Sequence, residues 1–106
     1  MGPTGYTRFR RLLDVDVELA VELHTVRGRA ESYSVVLLVS DEGEKWATVR
    51  VFDDEHGAAH MHRYTRSGGK QDAERISAAT PSEGFNMALD WAESGYREMI
   101  ESWRRN

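Results

Sequence analysis

The chain contains no cysteine, which excludes disulfide staples and thiolate metal sites. It has no apolar run near 20 residues, so no segment reads as a membrane-spanning helix. A glycine-rich phosphate loop between a strand and a helix is missing, and so is a nucleophile elbow. Basic excess is lacking too: the net charge is −4 and the pI near 5.5, so the overall footprint of a nucleic-acid binder is absent. The opening residues, MGPTGY, carry no apolar signal core, and the expected location is the cytoplasm. With no internal repeat or linker, the 106 residues read as one domain.

What is present fits a globular protein. Hydrophobic residues make up 40% and charged residues 30%, a balance that permits a single core and argues against disorder. Gly2, Pro3 and Gly5 mark residues 1–7 as a flexible tail, leaving 8–106 as the domain. Arg8, Arg10 and Arg11 form a basic entry, followed by the acidic Asp14, Asp16, Glu18 and Glu22.

From Val15 to Val26, apolar residues alternate with Asp16, Glu18, Glu22 and His24, the pattern of a strand with one face in water. After the turn Arg27-Gly28-Arg29, the run 31–40 is apolar on both sides and β-branched, as in a central strand. A hairpin at Asp41–Glu44 leads to a third strand, Trp46–Phe52. Its simple alternation puts Ala47, Val49 and Val51 on one side, with Trp46, Thr48, Arg50 and Phe52 on the other. Residues 59–65 form a fourth strand, Ser67-Gly68-Gly69-Lys70 a turn, and 71–79 a weak fifth strand.

A helix follows. Thr80-Pro81-Ser82-Glu83 supplies an N-cap, a proline at the first helical position and a glutamate at N3. Phe85, Leu89, Ala92, Tyr96, Met99, Ile100 and Trp103 share one stripe. Gly95, costly in a helix interior, is expected to permit close approach to the strands. The fold class is therefore α+β: an antiparallel β-meander of four or five strands with one C-terminal helix packed on one face.

The chemistry concentrates at Val49–Tyr64. Three of the four histidines, His56, His60 and His62, fall within seven residues, beside Asp53, Asp54, Arg50, Arg63 and Tyr64. At a period of two, His60, His62 and Tyr64 point to one face, opposite Met61. With Val49, Val51 and Met61 toward the helix, Arg50 and Phe52 would join the histidines on the uncovered face.

The stretch VRVFDDEHGAAHMHRYTRSGGKQ resembles a phrase found in a family of small uncharacterised prokaryotic proteins: arginine, aromatic, Asp-x-x-His-Gly-x-x-His-x-His-x-Tyr. Asp53, His56, Gly57, His60, His62 and Tyr64 carry the likeness, which covers about residue 33 to the C-terminus. It implies a β-meander with the phrase on a hairpin ahead of a C-terminal helix. More distantly the stretch is similar to TumE-type toxins of toxin–antitoxin pairs, although Asp53-Asp54-Glu55-His56 replaces their usual pattern and their proline and paired histidines are missing. That resemblance implies a toxin partnered by a helix-turn-helix antitoxin.

Three readings of the cluster follow. The first is an endoribonuclease that cleaves RNA without a metal or other cofactor: His60 and His62 divide acid and base roles, Arg50 or Arg63 holds the phosphate, and Tyr64, His56 and Asp53 assist. The second is a metal site for a divalent transition ion such as zinc, with His60, His62, His56 and Asp54 as ligands. The third is a non-catalytic interaction module or homodimer in which the histidines are ordinary residues of a solvated or dimer-forming face. On the helix, Met87 and Trp91 lie off the buried stripe and form a candidate surface for self-association or a partner.

Overall fold

The computed structural model describes residues 3–41, 45–54 and 57–106. Six strands, β1 (Thr4–Asp14), β2 (Val17–Val26), β3 (Arg29–Asp41), β4 (Lys45–Asp53), β5 (His60–Thr65) and β6 (Gly69–Arg75), precede one helix, α1 (Pro81–Arg105). The strands form a single antiparallel sheet in chain order. The meander and its helix are as the alternation predicts, but the sheet has one strand more than the four or five expected.

That strand is β1. Thr4–Thr7, inside the stretch expected as a tail, pair with Leu23–Val26. Phe9 and Leu13 pack against the core. Arg11, between them, ion-pairs with Glu93 of the helix. The expected basic entry is thus strand: Arg11 lies over the Phe9 ring at 5.6 Å, and Arg8 and Arg10 pair with Glu22 and Glu18 of β2.

α1 covers one face. Val17, Leu19 and Val21 from β2, Val35, Leu37 and Val39 from β3, and Phe52 from β4 meet Ala88, Ala92, Ile100 and Trp103 in one cluster. Leu19, Val35, Leu37 and Phe52 are fully buried, each contributing about 1.5–3 kcal/mol by removal from water. The helix starts where the sequence predicts: the Thr80 side chain accepts from the Glu83 N–H at 3.1 Å. Its last carbonyls are met by the β5–β6 turn, through Arg66 N–H to Trp103 O at 3.1 Å and the Ser67 hydroxyl to Asn106 O at 2.6 Å. These are groups a helix end leaves unsatisfied.

One irregularity changes which residues share a face. Thr48 lies opposite Leu38 but Arg50 lies opposite Leu37, so Val49 is an extra residue, a β-bulge. Val49 enters the core, and Arg50 and Phe52 follow on that same helix side, opposite the buried Leu37 and Val35. Val51 goes to the uncovered face. The expectation that Arg50 and Phe52 lie on the face away from the helix is corrected by this one inserted residue. It also alters the outward patch: Trp91 contacts the ring of Phe52, centroids 6.2 Å apart, and is 39% exposed, while Met87 is half-buried. Trp91 therefore belongs partly to the sheet contact.

Gly95 corrects a smaller expectation. A Cβ there would meet only Met99 Cε, at 3.4 Å, so no strand needs its absence. The close approach is at Gly84, where a Cβ would lie 2.5 Å from the Tyr33 hydroxyl oxygen.

Candidate functional site

The register assembles the uncovered face in rows. One runs across the whole sheet as Arg8, Glu22, Ser34, Asp53, His60 and Arg75; the next as Arg10, Ala20, Val36, Val51, His62 and Ala73. Directly opposed residues in an antiparallel sheet have their Cβ atoms about 4.5–5.5 Å apart. His60 is therefore flanked by Asp53 on β4 and Arg75 on β6, an acid and a cation on either side of one imidazole. His60 is half-buried, so part of its ring reaches solvent.

His62 is in a different position. It is 9% exposed, and its Nδ1 lies 3.3 Å from the Gln71 carbonyl oxygen. A carbonyl only accepts, so this contact requires the proton on Nδ1. Tyr64, two residues on, lies opposite Lys70 and packs half-buried against the core.

Of the other candidates, Asp53 joins His60, whereas Arg50 and Arg63 pair with each other on the helix side. The two arginines expected to hold a phosphate beside the histidines are thus on the opposite face of the sheet. Arg75 takes that place and was not singled out by the sequence; its signal was the hairpin register across Ser67–Lys70. Asp54 turns away from the histidines and accepts from the Tyr33 N–H at 3.0 Å, at the edge of a cavity of about 480 Å³ lined also by Ala59, Arg75 and Ile76. His56 lies outside the described residues. Among the described residues, no group of three histidine, aspartate or glutamate side chains is gathered as a metal ion requires.

The face also carries apolar surface. Tyr6, Leu12 and Trp46, which are 54%, 63% and 43% exposed, lie on it by register, opposite His24, Glu18 and Ser40. They are three of the five large hydrophobics most exposed among the described residues. Val36 and Val51, half-buried, sit in the middle of the sheet between Leu12 and Trp46 and the His60 row, and Tyr6 lies beyond that row. Among the described residues, no helix is long and apolar enough to cross a membrane.

Three titratable groups among the described residues are perturbed. The hydrogen bond to Glu22, then burial, raises the Tyr6 phenol above its ordinary pKa. Burial, with Asp54 and Asp53 adding to it, pushes the Tyr33 phenol up to about 12. Burial, then the neighbouring Arg63 guanidinium, holds Arg50 below its ordinary pKa, with Glu74 acting in the opposite direction.

Neither the curated proteins nor the solved structures contain a match to this chain. A family model described as a domain of unknown function, DUF7718, matches residues 3–106.

Proposed function

We propose that this chain, which belongs to the DUF7718 family, is a non-catalytic binding module that docks another protein chain on the uncovered face of its sheet. The observation that carries this reading is the exposure of Tyr6, Leu12 and Trp46 on that one face. Exposed aromatic and aliphatic side chains on β1 and β4, interspersed with the Arg8–Glu22 and Arg10–Glu18 pairs, give this face the mixture of apolar anchors and charge that interfaces carry. Burial of His62 against a backbone carbonyl supports a structural part for that residue.

The test is mass in solution, by light scattering, together with affinity capture, for the wild type and for Leu12→Glu with Trp46→Glu. Self-association or a captured protein that the double variant loses, at unchanged circular dichroism, is the expected result. A monomeric wild type that captures nothing beyond what the double variant captures would refute the reading.

A second reading has its own observation, the placement of His60 between Asp53 and Arg75. Here the protein is a small toxin-like endoribonuclease, as the similarity to TumE-type toxins implies. Asp53 orients His60, His60 takes the 2′-hydroxyl proton as that oxygen bonds to phosphorus and delivers it to the 5′-oxygen as the P–O5′ bond breaks, and Arg75 meets the phosphorane charge. His60→Ala and Arg75→Gln then each abolish RNA cleavage or growth inhibition. Wild-type protein that leaves RNA intact, or activity that survives both changes, ends that reading.

A further inference from the structure

The face under the helix holds an arrangement that the sheet-face reading does not use. Arg50 and Arg63 oppose each other directly on β4 and β5, and like charges in that relation destabilise a sheet. The neighbours relieve this only in part. Arg63 pairs with Glu74 at 3.3 Å, but among the described residues no carboxylate pairs with Arg50. Its Nε is buried with no hydrogen-bond partner, a donor that ordinarily finds one. The two guanidinium groups line a groove of about 390 Å³ closed by Gly95, Met99 and Ser102 of α1. A Cβ at Gly95 would meet only Met99 Cε, at 3.4 Å, so no side chain of that residue stands in the groove it lines.

We infer that this groove is a binding site for an oxyanion of the phosphate class, held between Arg50 and Arg63. A guanidinium presents a planar fork of donors that matches phosphate oxygens, and an anion between two forks offsets their like-charge repulsion. Ser102 adds a hydroxyl at the wall. Two carboxylates also line the groove. Glu101 is paired with Arg105 at 3.6 Å, whereas Glu98 is exposed and opposes an anion, which sets the direction of one test.

Isothermal titration of the full chain with inorganic phosphate, against chloride at matched ionic strength, reads the site. The wild type gives saturable binding of one phosphate per chain. Arg50→Met keeps the length of the stem and loses the fork; it weakens binding about tenfold or more, the scale of a lost charge-assisted hydrogen bond. Glu98→Gln, an exposed change that leaves the core untouched, tightens binding, and Arg8→Met on the other face leaves it unchanged. The proposal is overturned by a wild type that binds no phosphate, by equal affinity in Arg50→Met, or by an affinity in Glu98→Gln no higher than that of the wild type.

Discussion

The two glycines of the helix give opposite expectations for the same substitution. At Gly84, a Cβ would lie 2.5 Å from the Tyr33 hydroxyl oxygen, 3.3 Å from Tyr33 Cζ and 3.4 Å from Ala59 Cβ. Tyr33 is 4% exposed and packed beside Phe85, ring centroids 5.7 Å apart, so the ring has little room to move. Forcing a methyl into such a site costs about 1–3 kcal/mol, and the helix propensity of alanine over glycine returns at most about 1 kcal/mol. With that full return the net loss for Gly84→Ala is about 0–2 kcal/mol, or up to roughly 10 °C in Tm for a domain of this size. At Gly95 the methyl meets only the flexible end of Met99, and Gly95→Ala gains about 0.5–1 kcal/mol. Thermal and urea unfolding of both variants measures the difference. A cycle with Tyr33→Phe separates packing from propensity: without the hydroxyl, Gly84→Ala becomes neutral or stabilising, a coupling of about 1–2 kcal/mol. The reasoning is refuted if Gly84→Ala stabilises as much as Gly95→Ala, or if its cost is the same in the Tyr33→Phe background.

The β2–β3 turn places Arg27 at φ 53° and Gly28 at φ 77°, both in the left-handed region of a two-residue hairpin that favours Asn-Gly. Arg27→Asn is expected to stabilise by about 0.5–1 kcal/mol, and an unchanged urea midpoint would count against it. The raised Tyr33 phenol predicts the alkaline limb of stability. Its neutral form is favoured by folding, so the contribution is complete below pH 10, the ordinary tyrosine value, and is lost as pH rises toward about 12. Tyr33→Phe flattens stability over that window, and a wild type whose stability is constant there contradicts the assignment. Deleting Val49 removes the bulge and returns Arg50 to the uncovered face; strong destabilisation, with loss of the quenched or shifted Trp91 emission that contact with Phe52 implies, is the expected outcome, and a native-like variant would contradict the bulge.

The alternation of β2, the two-sided apolar run of β3 and the capped stripe of α1 each follow from local pattern and appear where the sequence predicts, except that Val15 lies ahead of β2 and is 86% exposed. β1 does not announce itself because Arg8, Arg10 and Arg11 interrupt its apolar set; only pairing with β2 shows that Phe9 and Leu13 lie on the core side. The placement of His60 and His62 opposite Met61 is legible because a period of two holds through this part of β5. The company they keep is not. The bulge at Val49 is defined by which residues of β3 stand opposite, a relation between strands that no single strand encodes. Arg75 is hidden for a similar reason: every residue of β6 is exposed, so the strand has no apolar rhythm from which to infer a face.

The anchoring of α1 bears on how the molecule assembles. Every neighbour in the sheet is also a neighbour in the chain, so the strands are joined by short-range closures with little loop entropy to overcome. The helix alone spans that order: near its first turn the Ser82 hydroxyl accepts from Ala30 N–H, at the start of β3, at 3.3 Å, and its last carbonyls are held by the β5–β6 turn. It therefore acts as a latch. Until it closes, the hairpins present Leu19, Leu37 and Phe52 to water; once closed, strands distant in sequence open together or not at all, and amide exchange across β2 to β5 follows a single cooperative event.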